Sequence, residues 1–201
     1  VSNVADHSGN GNDGTLTNFT STTTVPGKIG QALDFAEDND RVDTGTITHG
    51  IGTGDFTYAT WAVRTVDTGQ SYQGVMANGD FAPAMYVETN NTNIWGGYFG
   101  SAMTADTSLT IGEWYHLVMM RSGTTIKFYV NGVQEATTYE NATSLANTVF
   151  RLGNSSASAV NECDCVLDDS RFYDRALSPE EIPRLYDLGA TTHINKTITS
   201  N

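Results

Sequence analysis

The stretch Trp114–Ala136, WYHLVMMRSGTTIKFYVNGVQEA, constrains the fold more than any other part of the chain. Trp114–Arg121 is rich in β-formers, and Ser122-Gly123-Thr124-Thr125 is a turn. Ile126, Phe128 and Val130 then alternate with Lys127 and Tyr129, which puts the first three on one face of a strand. Asn131-Gly132 follows at once. Asn-Gly readily takes the positive φ values of a two-residue type I′ turn, the strongest short-range hairpin signal a sequence offers. A three-stranded meander is therefore predicted here, and with it an all-β protein.

The remaining pattern agrees. Strand signals recur at Leu16–Phe19, Gln31–Phe35, Arg41–Thr46, Asp55–Arg64, Gly74–Ala77, Ala84–Glu88, Ile94–Phe99, Val149–Leu152 and Cys165–Tyr173. Leu109–Glu113 leads into the meander. Short strands parted by Gly/Asn/Asp turns, with no strand–helix alternation, predict a two-sheet antiparallel β-sandwich. One helix is predicted near the end. Ser178 is its N-cap, Pro179 suits the first position, Glu181 completes a capping box and Gly189 is the stop. Pro183 lacks an N–H where the second turn would want one, so a distorted or 3₁₀ start is expected.

A chain of 201 residues with no internal linker and no repeat suits one large sandwich domain. We place that domain at 1–189 and a polar tail or linker at 190–201. A net charge of −13 repels phosphate backbones and anionic membranes, so nucleic acid is not an expected partner. No apolar run approaches the roughly 20 residues that cross a bilayer, so no membrane insertion is expected. The chain opens on Val1 with no signal-peptide pattern, as a mature or excised fragment would. The acidic, Thr/Asn-rich composition is of the kind associated with extracellular or cell-surface proteins. Cys163 and Cys165 alternate on one strand face, as a tight disulfide or two free thiols; with no second pair a four-thiolate zinc site is not available.

Asp6-His-Ser-Gly-Asn-Gly-Asn-Asp-Gly14 is dense in oxygen donors and glycine. It starts like an EF-hand loop, but Thr17 stands where the bidentate Glu belongs and no helices flank it. Two readings remain open from the residues alone: a calcium loop of another kind, or an Asx-rich turn that reverses the chain.

Six segments, in order over residues 6–189, resemble the laminin-G-like, concanavalin A-like lectin/glucanase jelly-roll family in its bacterial repeat form. They are the Asp6 loop, GKIGQALDF at 27–35, DFTYATW at 55–61, EWYHL at 113–117, FYVNG at 128–132 and LDDSRFYDRALSPEEI at 167–182. The resemblance implies a jelly-roll sandwich with one concave sheet. It also implies a structural Ca²⁺ tying the Asp6 loop to the last strand, through Asp6, Asn10, Asn12 and Asp168 or Asp169. Plain alternation puts Asp168 on the face of Ser170 and Phe172, and a bulge would swap it. Family members carry an apolar strand before the Asp loop; only VSNVA precedes it here. Either the fragment was cut inside a repeat or another segment takes that place, for which 191–199, with Ile194 and Ile198, is a candidate.

The same fold class includes glucanases and alginate lyases. A retaining glycosidase needs two carboxylates about 5–5.5 Å apart, and no Glu-x-Asp-x-x-Glu run is present. Glu162 and Asp164 alternate but have no third acid in register. His7, His49, His116 and His193 sit in no lyase motif, and His116 reads as a strand residue with satisfied hydrogen bonds. For binding, Trp95, Tyr98 and Phe99 lie among glycines, as an open platform for a sugar's apolar face would. Tyr72, Tyr86 and Phe81 are secondary candidates. Trp61 and Trp114 are expected in the core. The expectation is a noncatalytic recognition module of a larger multidomain protein, taking a glycan or an extracellular protein. A polysaccharide-active enzyme and a structural spacer repeat are the alternatives.

Overall fold

The structure is a computed structural model. It describes residues 3–20, 24–36, 39–46, 52–66, 72–79, 83–88, 93–146, 148–155 and 162–190. The strands are β1 (Asn3–Val4), β2 (Gly14–Thr17), β3 (Thr24–Pro26), β4 (Gln31–Phe35), β5 (Arg41–Thr46), β6 (Phe56–Arg64), β7 (Tyr72–Asn78) and β8 (Ala84–Glu88). They continue as β9 (Ile94–Tyr98), β10 (Ala102–Ser108), β11 (Trp114–Ser122), β12 (Thr125–Val130), β13 (Val133–Glu140), β14 (Val149–Leu152) and β15 (Cys165–Tyr173). One helix, α1 (Glu181–Ala190), follows. An eight-stranded sheet runs β1-β2-β5-β14-β7-β8-β9-β10, and a seven-stranded sheet runs β13-β12-β11-β6-β15-β4-β3. Every pairing is antiparallel. The predicted all-β, two-sheet antiparallel β-sandwich with one short C-terminal helix is the observed fold.

The opening meander is β11-β12-β13. Asn131 and Gly132 have φ of 50° and 80°, the type I′ signature. Ile126, Phe128 and Val130 face the inter-sheet core, with Leu117 and Met119 of β11 and Phe56, Tyr58 and Ala62 of β6. The opposite face of the same strands carries Ala59, Val118, Met120 and Tyr129, and α1 covers it with Ile182 and Leu185. A sheet buried on both faces explains why all nine residues of β6 are buried.

The helix begins one turn later than its cap. Ser178 N–H donates to Glu181 Oε2 at 2.8 Å, the reciprocal half of a capping box. Pro183 therefore falls in the first turn, where an amide has no helical acceptor, and no backbone bond is lost. The expected distortion is confined to the turn at Pro179–Glu180 ahead of the helix. Cys163 and Cys165 are joined in a disulfide, and both are buried. At the far end of the sandwich, buried Arg121 donates to the carbonyls of Gly52, Gly54 and Thr143, tying two loops together. The tail 191–201, His49, His193 and Phe81 lie outside the described residues.

Candidate functional site

The Asp6 loop is closed by its own donors. Asp6 Oδ1 accepts Ser8 N–H at 2.8 Å, and Oδ2 accepts Ser8 Oγ–H at 2.8 Å and Asn12 N–H at 2.9 Å. The Asp6 amide donates to Asp13 Oδ1 at 2.8 Å. The amides of Ser8 and Asn12 hold the Asp6 carboxyl below its ordinary range. Gly9 and Gly11 supply the positive φ values of 84° and 73° that let the loop fold back.

Asp168 and Asp169 are separated by a bulge. Asp169 has φ of 47°, and the register with β6 steps from Asp168↔Trp61 to Arg171↔Ala59. Directly paired residues share a face, so Asp168 lies on the helix-covered face with Trp61, while Phe172 lies on the core face with Tyr58. This corrects the plain alternation, which put Asp168 and Phe172 together. Asp168 is buried, and its Oδ2 accepts Ile29 N–H at 2.6 Å. Burial raises its carboxyl above the ordinary value, with the amides of Ile29, Asp169 and Lys28 pulling the other way. A Cβ on Gly27 would collide with Asp168 Oδ2, so glycine lets the turn sit on the carboxylate. Asp169 is gripped by Arg171, with Nε at 2.9 Å from both of its oxygens.

The residues expected to hold calcium thus come together only in part. Asp6, Asn10, Asn12, Asp168 and Asp169 all line one cavity of about 780 Å³ between the sheets. Yet the three carboxylates are engaged by N–H, O–H and guanidinium donors. Among the described residues no three Asp, Glu, His or Cys side chains converge on one point. The arrangement does not fit a cage of about six to eight oxygens around a hard cation; it fits an Asx-rich turn and a turn anchor.

The aromatic candidates divide by strand alternation. Trp95 is fully buried, packs edge-on against Phe128 with ring centres 5.1 Å apart, and belongs to the core with Phe99. The space beside Gly97 on the same face is filled by Met119 and Phe128. The open platform expected at Trp95 and Phe99 is therefore corrected: both sit inside the sandwich, because their face of β9 is the inward one. Tyr98 has the opposite parity and is half-buried. It pairs with Ala84, two residues from Tyr86, whose own partner on β9 is Gly96. Tyr86 is buried and Tyr72 stands edge-on to it, with ring centres 4.9 Å apart and 36% of Tyr72 exposed. Tyr72, Tyr86 and Tyr98 thus share the outer face of the eight-stranded sheet.

His116 is a buried strand residue, its ring 5.4 Å from Trp61 and 6.3 Å from Tyr186. Burial is the main reason its imidazole is pushed down to about 4. Its Nδ1 has no hydrogen-bond partner among the described residues, contrary to the expectation of a satisfied ring. Trp61 is core as expected, whereas Trp114 is only partly buried. Arg121 carried no sequence signal; an arginine inside a β-rich run was the only mark it left.

Two antiparallel sheets in this order, with a capped helix on one outer face, define a concanavalin A-like sandwich. The chain belongs to the Laminin_G_3 family of the concanavalin A-like lectin/glucanases superfamily, whose profile matches residues 36–183. The Asp6 loop lies outside that matched span. No curated protein matches the sequence. Among solved structures, domain 4 of AbnA, a GH43 extracellular arabinanase from Geobacillus stearothermophilus in complex with arabinotriose, is similar at a TM-score of 0.69 and 20% identity, covering 90% of this chain and 91% of that one. The binding domain of Paraclostridial Mosquitocidal Protein 1 is similar at a TM-score of 0.65 and 18% identity, covering 90% and 48%. Trypanosoma rangeli sialidase in complex with the inhibitor DANA is similar at a TM-score of 0.65 and 16% identity, and there the match covers 87% of this chain but only 29% of the sialidase. At these identities the likeness is one of fold.

Proposed function

We propose that the chain is a noncatalytic carbohydrate-binding module of a larger extracellular or cell-surface protein. The observation that carries this reading is Tyr72, an exposed ring standing edge-on to the buried ring of Tyr86, with half-buried Tyr98 on the same sheet face. A ring fixed from below loses little freedom on binding and offers an apolar face with a polar tip, which suits a sugar. The solved domain that matches this chain nearly end to end holds arabinotriose, so a short oligosaccharide is the ligand class to try first. The buried disulfide supports an oxidising compartment. No helix among the described residues is long and apolar enough to cross a membrane.

The carboxylates of the inter-sheet cavity support a binder over a hydrolase. A general acid and its partner must be free to reach substrate about 5–5.5 Å apart. Asp6, Asp168 and Asp169 instead serve the loop amides, the Ile29 turn and Arg171. Calcium, implied by the family resemblance, would have to displace Ser8 and Asn12 from Asp6 and Arg171 from Asp169. Glycan-array binding of the wild type, repeated with Tyr72→Ala, tests the proposal. Binding that weakens in the variant is expected; binding to no glycan, or turnover of one, overturns it.

A further inference from the structure

Asn-Gly stands three times in the chain, at Asn10-Gly11, Asn78-Gly79 and Asn131-Gly132. The dipeptide carries a reaction of its own, one reason asparagine counts among the thermolabile residues. The main-chain nitrogen of the glycine attacks the asparagine Cγ and a C–N bond forms. Nδ2 leaves as ammonia, taking the proton that the main-chain nitrogen gives up. The product is a cyclic imide, and solvent water opens it at either carbonyl to leave aspartate or isoaspartate. Glycine favours the step because no side chain obstructs the approach of its nitrogen. The fold decides whether it runs. The asparagine side chain must be free to turn onto the backbone, and the glycine amide must be uncommitted.

Two of the three sites are held. Asn78 is buried, and its Nδ2 donates to the Ala146 carbonyl at 2.9 Å. The Gly79 N–H is spent on the Val149 carbonyl at 2.7 Å. Asn131 Oδ1 accepts the His116 N–H at 2.9 Å, and the Asn131 N–H donates back to the His116 carbonyl at 2.9 Å. α1 closes over this turn: a Cβ on Gly132 would stand 3.2 Å from Pro183 Cα and 3.3 Å from Tyr186 Cβ. Asn10-Gly11 differs on every count. Both residues are exposed. The Asn10 main-chain N–H donates to Ser8 Oγ at 3.2 Å, but its side-chain amide makes no hydrogen bond among the described residues. Nor does the Gly11 N–H, and nothing lies within 4 Å of a Cβ built on Gly11. The loop is pinned on either side of the pair instead, by Ser8 and Asn12 on the Asp6 carboxylate.

We propose that Asn10 is a site of spontaneous deamidation in the folded protein, and that the fold protects Asn78 and Asn131 from the same reaction. The step leaves a carboxylate, or an isoaspartate with its extra main-chain methylene, where Asn10 lines the inter-sheet cavity. It adds a negative charge to a chain already at −13 and sets it in the loop that Asp6 organises.

The full chain, warmed in mildly alkaline buffer below its melting temperature, tests this. Peptide mass mapping follows the conversion of amide to acid at each site, and isoaspartyl methyltransferase labels the isomer. Conversion at Asn10 is expected to outrun that at Asn78 and Asn131 by at least about tenfold, since a held site reacts only when it opens locally. In urea, where no site is held, the three should convert at comparable rates. Asn10→Gln, whose longer side chain disfavours the small imide ring, should lose most of the methyltransferase label. Similar rates at the three sites in the folded chain overturn the proposal. So does a preference for Asn10 that persists undiminished in urea, which assigns it to local sequence. An Asn10 that converts in urea but not in the folded chain overturns it as well, and so does a label retained in full by Asn10→Gln.

Discussion

Asp168 Oδ2 accepts the amide of Ile29 at 2.6 Å, joining residues 139 positions apart. A buried carboxylate that spans the chain in this way stabilises the fold through the turn it holds. Asp168→Ala leaves the Ile29 amide without its acceptor and is expected to cost about 1–3 kcal/mol. The urea midpoint measures it. Gly27→Ala should act in the same direction, since its methyl would meet the same oxygen. Unchanged stability in both variants would free Asp168 for another role.

Trp95 and Tyr72 should part company. Trp95→Ala empties a fully buried site against Phe128 and is expected to cost about 3–5 kcal/mol. Tyr72→Ala removes a ring that is 36% exposed and should shift stability by under about 1 kcal/mol, while weakening any glycan affinity. Thermal melts and calorimetric titration of the two variants read both arms.

His116 makes the fold acid-sensitive. Its folded pKa is about 4, against 6.5 for the free group. A histidine depressed in the fold is protonated first in the unfolded chain. Its contribution is therefore fully present above about pH 6.5 and is lost as pH falls toward 4. The span corresponds to about 3 kcal/mol. The wild type minus His116→Gln difference in unfolding free energy, followed from pH 7 to pH 4, should shrink over that window. Asp168, raised by burial, works in the opposite sense, and the difference cancels it.

Calcium is settled by a melt. With Asp6, Asp168 and Asp169 already engaged, neither chelator nor millimolar calcium should move Tm. A ligand that binds only the folded state raises stability with its concentration, so a rise of several degrees that Asp6→Ala abolishes would establish the ion.

Much of the fold was legible because its signals are local. Asn131-Gly132 fixed a turn, the parity of Ile126, Phe128 and Val130 fixed a face, and Ser178 with Glu181 marked a helix start. β10 was not legible: in AMTADTS only Met103 and Ala105 mark an apolar face, and its backbone is held from across the sandwich by the Tyr139 hydroxyl, which takes Thr104 N–H and donates to Thr104 O. The site was less legible than the fold. The parity that served β12 also applies to β9, and it sends Trp95 inward and Tyr98 outward; proximity to glycine carried no such information. The bulge at Asp169 left no mark, since nothing in Leu-Asp-Asp-Ser announces a left-handed residue. The partners of Asp6 are its own neighbours, and oxygen-rich composition alone does not separate a loop that binds itself from one that binds a cation.

The two-residue rhythm of β9 also bears on how such domains diverge. Trp95 and Gly97 are pinned by Phe128 and Met119 on the opposing sheet. Tyr98, one step away on the same strand, answers to none of those neighbours. Variation at Tyr98 and Tyr72 can accumulate without disturbing the interior, so descendants of one ancestral domain can exchange one ligand for another while their architecture stays superimposable.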